Sequence, residues 1–331
     1  MARAAVLAGL GTHVPPDVLT NDMLAEALDT SDTWIRSRTG IRQRYIADER
    51  TTTGDLAVAA GERALASAGR TRVDVVVVAT TTPDRQCPAT APTVASRLGM
   101  SGTPAFDVSA ACTGFIYGLA TAASLIGSGL FDSALLIGAD KFSDTLDPED
   151  RSTRALIGDG SGAVVLRAGE SDEDGALLAF DLGSDGEHVG LLEVPAVGRA
   201  ERADGVTRGY FHMEGKPVFT KAVTAMTDSV HRVLDRVGWS TADVDRLVPH
   251  QANARILAAV ADQLDLPADR VVSNIADVGN TVAASIPLAL GHGMRHQGLR
   301  SGHNVVLTGF GAGLTWGSVA VRWPKINDIS I

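Results

Sequence analysis

Nearly continuous apolar runs alternate with small-residue turns along this chain, and the pattern occurs twice. Val73-Asp74-Val75-Val76-Val77-Val78-Ala79 predicts a strand, and Val244-Asp245-Arg246-Leu247-Val248-Pro249-His250 repeats its opening about 171 residues later. A helical segment follows each, over Ala91 to Leu98 and over Asn253 to Leu264. A second strand then leads into a small-residue turn, Ala105 to Val108 before Cys112 and Arg270 to Ser273 before Asn280. Helices over Phe115 to Ile126 and Ala283 to Met294 come next, then strands over Ala134 to Ala139 and Asn304 to Thr308. Strands alternating with helices imply layered α/β structure, and strands apolar at every position imply sheets covered on both faces. Two similar units in tandem imply duplication, with halves 1–170 and 171–331 and helices packed between two sheets. The polar, turn-rich stretch from Gly183 to Gly209 reads as an irregular connection near their junction.

Composition narrows the function classes. The 331 residues are 45% hydrophobic and 21% charged, which describes a globular protein with ample core. A net charge of −10 argues against a sequence-independent grip on nucleic acid. No apolar run reaches the roughly 18 residues of a membrane span, and Met1 to Leu10 is too short and strand-like for a signal peptide, so a cytoplasmic location is expected. Cys87 and Cys112 are the two cysteines, too few for a disulfide framework or a four-cysteine metal site, so any thiol function rests on reactivity.

Cys112 stands in Asp107-Val108-Ser109-Ala110-Ala111-Cys112-Thr113-Gly114-Phe115, where strand gives way to helix. A helix N-terminus favours thiolate, and the small neighbours leave room for a substrate, so Cys112 is a candidate nucleophile. A packed core cysteine is the competing reading. His250 and Asn280 occupy strand-to-helix turns of the second half; taken singly, one is as readily a structural histidine and the other a capping residue. Equivalent strand ends of duplicated halves converge about a pseudo-twofold axis, which makes the three a candidate site. Gly158-Asp159-Gly160-Ser161-Gly162 lacks a P-loop lysine and dinucleotide spacing, and reads as a structural turn.

Motifs in order over the whole length carry a resemblance: Thr30-Ser31-Asp32-Thr33-Trp34 with Arg38-Thr39-Gly40-Ile41-Arg42; Asp107 to Phe115; Phe142-Ser143-Asp144 through Asp150-Arg151; Gly158 to Ala163; His250-Gln251-Ala252-Asn253; Gly279-Asn280-Thr281; and Gly309-Phe310-Gly311-Ala312-Gly313. The chain resembles the β-ketoacyl-acyl-carrier-protein synthase III family, thiolase-superfamily condensing enzymes, in an actinomycete-like form that primes fatty-acid or polyketide synthesis. The resemblance implies a five-layer αβαβα fold, a homodimer, and a triad of Cys112, His250 and Asn280. It implies that Cys112 takes an acyl group from acyl-CoA, with the oxyanion held by the N–H groups of Cys112 and of Ala312 in the Gly311-Ala312-Gly313 turn. A malonyl-carrier protein then loses carbon dioxide, and His250 and Asn280 donate to the enolate. Acyl-CoA and the carrier protein are substrates, and no metal or other cofactor is implied. Relatives that only transfer acyl groups need no enolate donor, so Asn280 favours condensation over plain acyl transfer, and the intact triad speaks against a non-catalytic binding role.

By the same resemblance Trp34 and Arg151 sandwich the CoA adenine with Arg38 nearby, Gly215 and Asn253 line the pantetheine tunnel, and Phe219 and Phe310 form its walls or gate. Cys87, Leu156 and Phe310 are expected at the acyl pocket. Cys87 stands where a bulky aromatic often projects from the partner subunit, which favours longer or branched starters unless Leu156 or Gln86 fills the space. Arg255 matches a carrier-protein docking arginine, yet Asp262 and Gln263 replace basic neighbours, so docking is weakened or shifted toward Lys216 and Lys221. Ser152 and Arg154 depart from smaller or apolar types near the CoA mouth.

Overall fold

The structure, a computed structural model, describes residues 3–195, 209–326 and 328–329. A six-stranded sheet runs in the order Asp328–Ile329, Arg3–His13, Gly160–Glu170, Ser133–Asp140, Val75–Ala79, Ala105–Val108. A four-stranded sheet runs Arg246–Pro249, Asn304–Gly311, Thr315–Arg322, Leu177–Ser184. The second order repeats four consecutive strands of the first, from Val75–Ala79 back to Arg3–His13. Directions match too, since Val75–Ala79 lies parallel to Ser133–Asp140 as Arg246–Pro249 does to Asn304–Gly311, and the next two pairings in each sheet are antiparallel.

Successive strand side chains point to opposite faces, and here both faces are apolar. Val75, Val77 and Ala79 enter the central core while Val76 and Val78 enter an outer one. In the second sheet Val305 and Leu307 face the centre and Val306 faces out. The central core lies between the sheets around the helices Gly114–Gly127 and Ser285–His296. Outside the first sheet pack Thr53–Ser67 and Ala91–Arg97, and outside the second Gly215–Val237 and Ala254–Gln263. The layers are therefore α, β, α, β, α.

One expectation changes. Arg270 to Ser273 is no strand: Ala268–Arg270 is a 3-10 turn, and Val271 makes a lone bridge to Leu247. Val272 N donates to Leu247 O at 2.8 Å, and side-chain amides take further backbone groups there. Gln251 Nε2 donates to Val272 O and its Oε1 accepts from Asn274 N, while Gln297 pairs with both backbone groups of Ser273. Between Gly183 and Gly209, residues 196–208 lie outside the described residues, and Leu192–Glu193 before them pairs antiparallel with His212–Met213 after them.

Candidate active site

Each half starts its central helix with a 3-10 turn, Ala111–Thr113 before Gly114–Gly127 and Val282–Ala284 before Ser285–His296. The first residue of each turn takes a left-handed backbone, φ 45° at Ala111 and 52° at Val282. Such a conformation is costly for alanine and more so for a β-branched valine, and it persists where surrounding structure dictates it. The two turns meet face to face: a Cβ on Gly114 would lie 3.6 Å from that of Ala283. Cys112 and Ala283 are thus equivalent positions, and Asn280 enters from three residues earlier.

Cys112 is held from behind by the second sheet. A Cβ on Gly311 would fall 2.9 Å from both the Cβ and the backbone N of Cys112, so only glycine lets the strand Asn304–Gly311 come this close. Thr113 Oγ1 donates to Ala110 O and shares a 2.7 Å hydrogen bond with Thr315 Oγ1, tying the nucleophile turn to the neighbouring strand. His250 follows the strand Arg246–Pro249, and its N–H donates to Thr308 O. Its ring is buried, and Nδ1 has no hydrogen-bond partner.

Asn280 is clasped by its backbone, whose N–H donates to Leu156 O at 2.9 Å and whose C=O accepts from Gly158 N at 3.0 Å. Its Oδ1 accepts from Val282 N at 3.0 Å. The acceptor end of the carboxamide is therefore used within the turn, and the NH₂ end is left as donor.

Cys112, His250 and Asn280 line one cavity of about 320 Å³. Leu156, Gly215, Phe219, Asn253, Phe310 and Ala312 line it as well. Asn253 Oδ1 also caps the helix Ala254–Gln263, accepting from Arg255 N. Sequence reasoning missed Phe142 and Phe211, an edge-to-face pair 5.1 Å apart on the cavity wall, together with Thr81 and Met213. It also missed Val218, Ala222 and Met226, although with Gly215 and Phe219 they recur at helical spacing along one face, a signal that was available. Phe142 stood in a family motif, but nothing in the sequence pairs it with Phe211, because the two meet across the fold.

The electrostatics run against one expectation. Burial, then the nearby Asp140 carboxylate, pushes the Cys112 thiol from 9.0 up to about 12, opposing the pull of the helix N-terminus. Burial drops His250 from 6.5 to about 3, so its imidazole is neutral at physiological pH. Asp140 itself is buried, its carboxyl raised by burial, with Oδ1 held by Thr80, Thr81 and Thr82 and Oδ2 by Ala283 N.

The expected nucleotide clamp lies outside the cavity lining. Trp34 sits in the helix Asp32–Thr39 with the guanidinium carbons of Arg38 and Arg151 at 4.5 and 5.0 Å from its ring centroid. A base stacked between Trp34 and Arg151 needs two contacts of ~3.5 Å each, so Arg151 must swing away to admit one. Arg255 donates to Ser37 O at 2.7 Å, which ties its helix to that of Trp34. Lys216 is exposed, whereas Lys221 lies 3.6 Å from Asp185. Ser152 Oγ bonds the Asp150 carboxylate, a turn-closing role, and Arg154 donates to Pro148 O. Cys87 is exposed and does not line the cavity of its own chain.

The Gly158-Asp159-Gly160 stretch is structural: Asp159 is buried and accepts from Ala47 N and from Ser143. Among the described residues no cluster of three His, Cys, Asp or Glu is placed to hold a metal ion, and no helix is long and apolar enough to cross a membrane.

Residues 106–186 match the family described as 3-Oxoacyl-[acyl-carrier-protein (ACP)] synthase III, and residues 234–323 its C-terminal region. A β-ketoacyl-[acyl-carrier-protein] synthase III of Pseudomonas aeruginosa is 70% identical over 326 residues, covering 98% of both chains. Synthase III 3 of Streptomyces coelicolor is 57% identical over 335 residues, 99% of this chain and 100% of that one. The crystal structure of the Pseudomonas aeruginosa PAO1 enzyme superposes with a TM-score of 0.94 at 68% identity over 98% of this chain and 99% of that one. The priming β-ketosynthase of the R1128 polyketide pathway superposes at 0.90 with 33% identity, over 98% of each. With the layered fold and relatives of this identity over its full length, the chain belongs to the 3-oxoacyl-[acyl-carrier-protein] synthase III family of condensing enzymes.

Proposed function

We propose that this chain joins an acyl-CoA starter to a malonyl-carrier protein through an acyl-Cys112 intermediate. The observation that carries the reading is the cavity wall shared by Cys112, His250 and Asn280, with the Asn280 NH₂ left as donor by the Oδ1 bond to Val282. Cys112 sulfur attacks the thioester carbonyl, CoA leaves, and the thiol proton ends on the CoA sulfur. Backbone N–H groups of Cys112 and Ala312 are assigned to the oxyanion.

In the second half-reaction the malonyl carboxylate departs as carbon dioxide and its electron pair forms an enolate. His250, neutral, and the Asn280 amide donate to the enolate oxygen. The enolate carbon attacks the acyl-Cys112 carbonyl, and the cysteine sulfur leaves and regains a proton. A β-ketoacyl-carrier protein results.

Around this centre we assign Trp34, Arg38 and Arg151 to the CoA nucleotide, Gly215, Phe219 and Asn253 to the pantetheine, and Leu156 and Phe310 to the acyl chain. Cys87 is assigned to the partner's acyl pocket and Arg255 to carrier docking. A homodimer is supported by Ala105–Val108, which ends the six-stranded sheet with an open edge among the described residues. The division into halves 1–170 and 171–331 is supported by the repeated strand order and the paired 3-10 turns. A cytoplasmic setting fits the two free cysteines.

Product mass decides the reading. Acyl-CoA with malonyl-carrier protein is expected to yield a carrier extended to a β-ketoacyl chain, and Cys112→Ser to yield no acyl-enzyme. An unextended acyl-carrier, or an acyl group on Cys87, overturns it.

A further inference from the structure

Arg44 is a cation with no accessible surface and no carboxylate in ion-pair contact among the described residues. It lies in the short strand Gln43–Ile46, and burial lowers its guanidinium only to about 10, so it stays charged at neutral pH. Burying an unpaired cation is costly unless each donor is placed to advantage. Nη2 donates to Ala155 O at 2.7 Å, and Nη1 to Asn21 Oδ1 at 2.9 Å and Leu19 O at 3.1 Å, while Nε has no partner.

Those bonds bear on the active site. Ala155 directly precedes Leu156, whose C=O receives the Asn280 N–H, and Gly158 N returns a bond to Asn280 O. The Arg44 stem lies against the glycines on either side of this clasp: a Cβ on Gly158 would stand 3.0 Å from the Arg44 Cβ, and one on Gly279 3.1 Å. On the far side Asn21 Nδ2 donates to Asp32 Oδ1 and Ile41 O, anchoring the network in the helix that bears Trp34.

We propose that Arg44 is a positioning residue for the decarboxylating half-reaction, holding the Ala155–Gly158 segment so that the Asn280 carboxamide meets the enolate oxygen. This rests on the assignment of Asn280 to that step. Arg44 does not line the cavity and acts through the backbone that clasps Asn280.

The test measures two half-reactions in wild type, Arg44→Met, Arg44→Lys, Asn280→Ala and the double variants, with melting temperature as the check of folding. Acylation is read by intact mass after a single turnover with acyl-CoA, and decarboxylation by carbon dioxide released from malonyl-CoA. Arg44→Met is expected to lower decarboxylation on the order of 10²-fold, the penalty of misplacing a catalytic group by about 1 Å, and acylation of Cys112 by far less. Arg44→Lys restores part of the loss. Combined with Asn280→Ala, either Arg44 change is expected to add nothing further, because both act through one carboxamide.

If Arg44→Met does not fold, Arg44→Lys and its double variant complete the same cycle. Equal losses in both half-reactions, or additive losses in the double variant, overturn the positioning role while leaving Asn280 in place. Unimpaired decarboxylation in Asn280→Ala overturns the role of Asn280 and this inference together.

Discussion

Gly311 backs directly onto Cys112: a side chain there would meet the cysteine's Cβ and its N–H nitrogen, each at 2.9 Å. The glycine thereby sets how far the nucleophile and one assigned oxyanion donor stand from the second sheet. Gly311→Ala is expected to push the Ala111–Thr113 turn outward and slow acylation of Cys112 on the order of 10²-fold, with the fold retained. Single-turnover intact mass checks this, and a wild-type acylation rate in a folded variant contradicts it.

The raised thiol of Cys112 makes a prediction about reactivity with pH. In a Cys87→Ser background, iodoacetamide is expected to label Cys112 about tenfold faster per pH unit through the neutral and mildly alkaline range, with no plateau short of about 12. A plateau near neutrality would mean the helix N-terminus outweighs burial in the resting enzyme.

His250 makes the corresponding prediction for stability. Its folded-state value of about 3 lies below the ordinary 6.5, so the stabilisation from keeping it neutral is complete above about 6.5 and is lost as pH falls toward 3. Melting temperature is expected to fall more steeply with acid in wild type than in His250→Ala. Parallel curves between pH 7 and about 4 would show that the ring is solvated.

Cys87→Phe is expected to reduce kcat/KM for branched and medium-length acyl-CoA while sparing acetyl-CoA, since overpacking penalises only chains that reach that depth. One methylene is worth about 1–3 kcal/mol in such a pocket, enough to reorder the chain-length profile. An unchanged profile in a dimeric Cys87→Phe protein removes Cys87 from starter selection.

Much of the fold was legible because its signals are local. The strand read at Val73 to Ala79 forms over Val75–Ala79, the part that is apolar at every position and covered on both faces, and Ala105 to Val108 was placed residue for residue. The turns bearing Cys112, His250 and Asn280 could be read from small residues flanking apolar runs, and family motifs assembled them into one site. Arg270 to Ser273 failed for a physical reason: β propensity says nothing about how long a pairing runs, and after one bridge to Leu247 the side-chain amides of Gln251 and Gln297 take the next backbone groups.

What only the tertiary structure decided are relations across long sequence separation. Local pattern specified that Cys112 opens a helix, but the desolvation that raises its thiol comes from distant segments packed around it. Nothing local to Arg44 indicates that its stem packs beside Gly279, more than 200 residues away, nor that Phe142 and Phe211 share a wall. Hydrophobic period and turn chemistry act over a few residues and so are written in the chain. Desolvation and side-chain orientation depend on which distant segments close over a group, and those exist only once the two halves have packed.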